Sequence, residues 1–225
     1  VSYAVQSKGP LLSGLMLDNG LALLAGHIRA QGASPMIFDY SNIGAIERIA
    51  QVGAARFKEE VIGELDGFVS ENQVGMIGFK LYANGFRDSV AIAAALRKKH
   101  PALKIYGGGP QVSWFEGAIF EYARRVHGFD VFDALVSGEG DAAIRAMVAG
   151  SPREQIPGAL FRSGDAIVRN KKQEVVLEGL PFPIYDSAVY RGLQDKIKVC
   201  AIEDSRNCDY RKCTFCVHPR IGGRF

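Results

Sequence analysis

The chain has no stretch approaching the roughly 20 consecutive apolar residues that a membrane-spanning helix requires, and no charged-then-apolar segment opens it in the manner of a secretory signal. A cytoplasmic protein without a membrane span is therefore expected. Charge of one sign is just as scarce. Its 27 Lys and Arg against 24 Asp and Glu leave +3, too slight for the electrostatic footprint of a nucleic-acid binder. Internal repeats and low-complexity tracts are absent. The turn after the first apolar segment, Ser7 to Gly14, lacks the G-x-G-x-x-G of a dinucleotide site, and Asp39 standing alone reads as a turn or helix cap rather than a ribose ligand. Cysteine is sparse, and three of the four fall within nine positions. In a cytosolic protein that crowding favours metal ligation over a disulfide framework. With 48% apolar residues, the chain can bury a full core in one domain of about 150 residues plus an appendage.

Strands and helices alternate over the first 150 residues. Periodicity and punctuation predict a strand over Val1 to Gln6, a loop over Ser7 to Gly14, and a helix over Leu15 to Gln31 with Leu17, Leu21, Leu24 and Ile28 on one face and Gly32 as its stop. A strand over Pro35 to Asp39 precedes a long amphipathic helix, Ile43 to Val69, broken near Gly53 or Gly63. Next come a strand over Val74 to Phe79, a helix over Ser89 to His100, and a strand over Lys104 to Tyr106 running into Gly107-Gly108-Gly109-Pro110. A helix over Phe115 to Val126, a strand over Ala134 to Val136 ending at Ser137-Gly138-Glu139-Gly140, and a helix over Ala142 to Val148 complete the series. This alternation argues a parallel sheet with helices on both faces, a doubly wound Rossmann-like α/β domain spanning 1–150. Residues 151–190 read as a hairpin, Ala159 to Arg162 and Ala166 to Arg169 about Ser163-Gly164-Asp165, followed by the stiff linker Leu180-Pro181-Phe182-Pro183. From 191 onward a further unit begins, whose strand Ile197 to Ile202 delivers a cysteine-rich loop.

That loop, SRNCDYRKCTFC, sets Cys208, Cys213 and Cys216 in a Cys-x4-Cys-x2-Cys spacing. Three thiolates can hold a [4Fe-4S] cluster by three irons and leave the fourth open to a substrate or cosubstrate. A closed zinc site would need a fourth ligand, for which Cys200 and His218 are the candidates. Spacing leaves both readings open. The nearby Arg206, Arg211, Lys212, Arg220 and Arg224 read as a solvated loop.

From Ser205-Arg206-Asn207-Cys208 to Lys212-Cys213-Thr214-Phe215-Cys216 the loop resembles the cluster-binding loop of radical SAM enzymes, in the branch that carries an N-terminal cobalamin-binding domain. It departs from the usual Cys-x3-Cys-x2-Cys by one residue. Further stretches resemble the cobalamin-binding domains of that branch, in order GLALLAGHIRAQG, IGFKLYANGFRDSVAIAAALRKKHP, IYGGGPQV and VSGEGDAA. The resemblance spans nearly the whole chain. It implies that Cys208, Cys213 and Cys216 ligate the cluster, that S-adenosylmethionine chelates the fourth iron near Phe215, and that its reductive cleavage yields a 5′-deoxyadenosyl radical. Cobalamin is implied at the carboxyl edge of the sheet, against Lys80, Tyr82, Gly107, Gly108, Gly109, Ser137, Gly138, Glu139 and Gly140. The loop after the first strand has no histidine in a D-x-H-x-x-G setting. Cobalt is thus expected to carry neither its own base nor a protein histidine, with Lys80 and Tyr82 toward the lower face of the corrin. His27, inside a helix, is expected at the surface or as a cap.

The implied activity is that of a methyltransferase using SAM and methylcobalamin on a small-molecule or peptide substrate, with an external electron donor of the flavodoxin or ferredoxin type. No residue is assigned a catalytic role of its own. Because Phe225 lies nine residues past Cys216, only the first strand of a radical SAM (β/α) barrel is expected, and these residues alone are not expected to turn over. Two other readings remain: a corrinoid-binding module without chemistry of its own, and a zinc-stabilised Rossmann-like regulatory protein.

Overall fold

A computed structural model describes residues 1–3, 16–199, 206, 208, 210 and 212–216. Its strands are β1 (Ile37–Phe38), β2 (Met76–Lys80), β3 (Lys104–Gly108), β4 (Ala134–Val136), β5 (Ala159–Ser163), β6 (Ala166–Arg169) and β7 (Tyr190–Arg191). The α-helices are α1 (Asn19–Ala30), α2 (Ile43–Val52), α3 (Ala54–Asn72), α4 (Phe86–Lys99), α5 (Pro110–Phe115), α6 (Gly117–His127) and α7 (Asp141–Val148). β2, β3 and β4 lie side by side and parallel. On the other side of β2, Ser2 bridges in parallel to both Lys80 and Asp39, so the amino-terminal segment lies between β1 and β2. β7 pairs with the outer side of β1, also in parallel. Counting Ser2 as the first strand and setting aside the outer β7, the parallel order is 2-1-3-4-5, that of a doubly wound sheet whose order reverses beside β2. The remainder of the predicted Val1 to Gln6 strand and the Ser7 to Gly14 loop lie outside the described residues.

Side-chain alternation along each strand divides the core between the two faces. Phe38, Phe79, Ile105 and Leu135 point into the larger cluster, where Phe57, Val61 and Leu65 of α3, Val90 and Leu96 of α4, and Ile119 and Phe120 of α6 cover them. Their neighbours Ala134 and Val136 meet Ala143 of α7 on the opposite face, and Ile37 meets Ala25 of α1. Each fully buried aliphatic or aromatic side chain contributes about 1.5–3 kcal/mol of transfer free energy. Ile105, wholly buried in the central strand, is a position where truncation to Ala would remove about 2–5 kcal/mol.

Where the elements differ from the sequence reading, a backbone reason is visible. α1 starts at Asn19 rather than Leu15 because the Asp18 carboxylate caps it, accepting from the Leu21 amide at 3.0 Å. The long second helix is two, broken at Gly53 with φ +83°, a conformation that glycine adopts without a Cβ penalty; Gly63 lies unbroken within α3. The predicted Phe115 to Val126 helix is also divided, at Glu116 (φ +38°), and its first part begins five residues early with Pro110 in the opening turn. The sheet is not purely parallel. The hairpin β5–β6 is antiparallel to β4 and to itself, so it extends the sheet rather than standing apart as a separate hairpin.

The proline linker lies against α1. Ile184 N–H donates to the Ala22 carbonyl at 3.0 Å, and a Cβ at Gly26 would stand 2.4 Å from the Phe182 carbonyl oxygen, so only glycine permits this approach. Of the predicted Ile197 to Ile202 strand, Ile197 bridges in parallel to Met16; residues 200–202 lie outside the described residues. No helix among those described is long and apolar enough to cross a membrane.

Candidate functional site

The carboxyl ends of β1 to β4 open on one edge of the sheet, where ligands of doubly wound folds bind. Lys80 ends β2 beside the strand-order reversal and is directly opposite Gly108 in the β2–β3 register. Its ammonium donates to both Asp18 carboxylate oxygens, at 2.6 and 2.7 Å, and stands 4.8 Å from the centroid of the Tyr82 ring. Burial works against the charge, but Asp18 and Tyr82 outweigh it and raise the Lys80 pKa above the ordinary lysine value. Lys80 is thus a fixed cation, with two of its three N–H groups already on Asp18, and not a lone-pair donor. Asp18 is held in turn. Its amide donates to the Tyr190 hydroxyl at 3.0 Å, and that hydroxyl donates to Asp39 Oδ2 at 2.6 Å.

The structure separates the three glycines that the sequence presents as one loop. A Cβ on Gly107 would meet Leu135 Cδ2 at 2.6 Å, and one on Gly109 (φ +98°) would meet the Leu81 carbonyl oxygen at 3.1 Å. Both positions are glycine for reasons internal to the fold. Gly108 is different: among the described residues, nothing comes nearer to its Cβ position than the Val136 carbonyl oxygen at 3.9 Å. Alternation puts it on the α1/α7 face with Tyr106, beside Lys80. Packing among the described residues does not require glycine there, whereas close approach by a bulky group would.

Next along the edge, Ser137 is buried and its amide donates to the Gly158 carbonyl; the Gly138 amide, at φ +91°, donates to Ser113 Oγ at 3.1 Å. Gly140 packs close to Leu24 of α1. Glu139 does not simply face solvent at a helix start: Arg206, two residues before Cys208, places Nη1 3.2 Å from its Oε2 and 2.6 Å from Asp141 Oδ2. The other Asp141 oxygen lies 2.9 Å from Nε2 of His27. Burial disfavours the Asp141 carboxylate, yet hydrogen bonds from Arg206 and His27 prevail and hold its pKa below the usual aspartate value. His27 is therefore neither a surface nor a capping side chain. It is 2% exposed, on the buried face of α1, because that helix packs against α7 and brings it over Asp141. Arg206 likewise departs from the solvated-loop reading.

Cys208, Cys213 and Cys216 are all half-buried, and the Cys216 amide donates to the Cys213 carbonyl at 3.2 Å, a turn that carries the last two ligand candidates. Phe215 between them is 88% exposed. Among the described residues, no group of three or more His, Cys, Asp or Glu side chains is drawn together as a metal site. Cys200 and His218, the candidate fourth ligands of a zinc site, lie outside the described residues, as do Arg211, Arg220 and Arg224. In donor type the three thiols match three-thiolate ligation of a cluster. Asp39 caps the turn after β1 as expected, accepting from the Ser41 amide at 2.9 Å, and is also buried against Lys196 at 2.7 Å. Burial first, and Asp39 second, push the Tyr190 hydroxyl well above the ordinary tyrosine pKa.

Asp18, Asp141 and Arg206 were not singled out as site residues from sequence. Asp18 had a signal, a capping residue before a helical run. Asp141 had one as well, at the helix start after Ser137-Gly138-Glu139-Gly140. The pairing of Asp18 with Lys80 and of Asp141 with Arg206 and His27 had none.

No model of a known protein family matches the chain. Among curated proteins it is 28% identical over 187 residues to 2-(S-pantetheinyl)-carbapenam-3-carboxylate methyltransferase of Streptantibioticus cattleyicolor, covering 76% of this chain and 26% of that protein. It is also 28% identical over 163 residues to the cobalamin-dependent radical SAM methyltransferase TokK of Streptomyces tokunonensis, covering 67% and 22%. The chain thus spans about a quarter of the length of these relatives. Among solved structures, the radical SAM methyltransferase TsrM of Kitasatospora setae, determined with cobalamin and a [4Fe-4S] cluster bound, superposes with a TM-score of 0.50 at 17% identity, over 75% of this chain and 28% of that one. The resemblance to the cobalamin-binding radical SAM branch is borne out by these likenesses, and the α/β fold by the last.

Proposed function

We propose that the chain is the amino-terminal portion of a cobalamin-dependent radical SAM methyltransferase. In this reading residues 1–150 form the cobalamin-binding unit, 151–190 the hairpin and linker, and 191–225 the start of the radical SAM unit. The single observation that carries it is the edge of the sheet: a glycine at 108 with no described neighbour nearer than 3.9 Å to its Cβ position, directly across from a fixed cation at Lys80, on a chain whose curated relatives are methyltransferases. When bound, cobalamin would carry the methyl group, and SAM on a [4Fe-4S] cluster would supply the radical.

This chain's own residues bind and orient. Lys80, kept protonated by Asp18, holds a positive charge at the strand end and withholds a nitrogen lone pair from the metal. Tyr82, beneath the ammonium, shields one side of it. Among the described residues Gly108 leaves room on the α1/α7 face, Gly138 takes a positive φ, and Gly140 lets Leu24 approach. Cys208, Cys213 and Cys216 supply the thiolates. The substrate, small molecule or peptide, and the external electron donor would meet parts of the protein beyond these residues.

The test is loading of the full-length protein under anaerobic conditions. About four irons per chain are expected through three thiolates, together with stoichiometric cobalamin. Replacing Cys208, Cys213 or Cys216 by Ala should abolish the brown absorbance while Cys200→Ala keeps it. A colourless protein with stoichiometric zinc, or loss of metal in Cys200→Ala as complete as in the others, would overturn the reading.

A further inference from the structure

Arg206 joins two parts of the chain that sequence presents as unrelated. Its guanidinium is anchored on Glu139, in the loop between β4 and α7, and on Asp141, the first residue of α7, and Asp141 is shared with His27 of α1. The side chains of Arg206, Asp141 and His27 are 10%, 4% and 2% exposed. A buried carboxylate is unfavourable unless paired, and the apolar packing around it does not require one: Leu24 of α1 already closes on Gly140, and Ala143 of α7 on Ala134 and Val136 of β4. What the carboxylate adds is an attachment point for the residue two positions ahead of the first cysteine of the metal-binding motif. A charge-assisted hydrogen bond at 2.6 Å in a site screened from water is a strong one.

We propose that His27, Asp141 and Arg206 form a clamp that seats the three-cysteine loop on the carboxyl edge of the sheet, with Arg206 a positioning residue for the cysteines. Asp141 takes the guanidinium on one oxygen and is oriented by His27 on the other, while Glu139 limits sideways movement of the guanidinium. The metal-binding loop is thereby registered against the Gly138–Gly140 segment before any metal arrives. That the seated thiols serve a cluster rests on the function proposed above; the seating itself does not.

The experiment measures alkylation rates of Cys208, Cys213 and Cys216 by iodoacetamide in the full-length, metal-free protein, read by peptide mass spectrometry. Arg206→Gln and Asp141→Asn should each raise the rates at least about fivefold by freeing the loop to open locally, at a temperature where circular dichroism shows each variant to be folded. The double variant should be no faster than the faster single one, and Arg206→Lys should restore part of the protection. Unchanged rates in Arg206→Gln, or independent multiplying effects in the double variant, would overturn the clamp. If Asp141→Asn does not fold, the Gln and Lys variants at Arg206 decide it. Iron loading of the wild type separates the two proposals. Protection by Arg206 without iron binding retains the clamp and removes the cluster, and iron binding without protection does the reverse.

Discussion

Gly107 and Gly108 are adjacent in one strand yet glycine for different reasons, so substitution should separate them. Gly107→Ala forces a methyl against Leu135 in a packed core and should destabilise the fold by about 1–3 kcal/mol. Gly108→Val meets no such neighbour among the described residues. It should keep a near-normal melting temperature while cobalamin affinity falls at least about tenfold, or ~1.4 kcal/mol. Titration and melting of the two variants side by side check this; normal affinity in folded Gly108→Val would move the corrin elsewhere. Asp141 makes a pH prediction. Its folded-state pKa is depressed, so its stabilisation is complete above the ordinary aspartate value of 3.8 and is lost as pH falls through the lower folded value. Urea unfolding as a function of pH should show this acid loss in the wild type and a shallower slope below that value in Asp141→Asn.

At the scale of elements, the apolar periodicity of α1, α3 and α4 and the run of β4 were readable from sequence because each is set by local spacing. The breaks at Gly53 and Glu116 were not equally so. Gly53 offered the signal of glycine, whereas Glu116 takes a positive φ that nothing in its own identity favours. β5 and β6 were readable as a hairpin from their turn residues, but not as part of the main sheet, since strand partners follow from packing rather than local pattern. Nor was the role of the segment after the proline linker. β7 pairs with β1, and Lys196 beyond it reaches back to bury its ammonium against Asp39 and the Ser41 carbonyl, at 2.7 and 2.6 Å. Lys196→Met would leave Asp39 buried with its main charge partner gone, and should cost about 3–5 kcal/mol in urea-unfolding free energy. A loss below about 1 kcal/mol would mean that water reaches the pair.

For the whole molecule, the candidate site was half readable. The cysteine spacing, the glycine loop and Lys80 stand out in one dimension, while the partners that fix them do not. His27 and Asp141 are 114 residues apart, and Lys80 and Asp18 62, and a single sequence carries no sign of such long-range pairing. This is why His27 read as a surface residue and Arg206 as a solvated one. The position of β7 also bears on modularity. A piece that stops at residue 150, where sequence delimits the unit, would lack β5 beside β4 and β7 beside β1, and would expose two backbone edges open to pairing between molecules. A recombinant piece ending at Gly150 should sediment as aggregate, whereas one ending at Val199 should remain monomeric, as analytical ultracentrifugation would distinguish. Grafting this sheet onto another protein would therefore mean carrying the β5–β7 segment along with it, because that segment supplies partners to both β4 and β1.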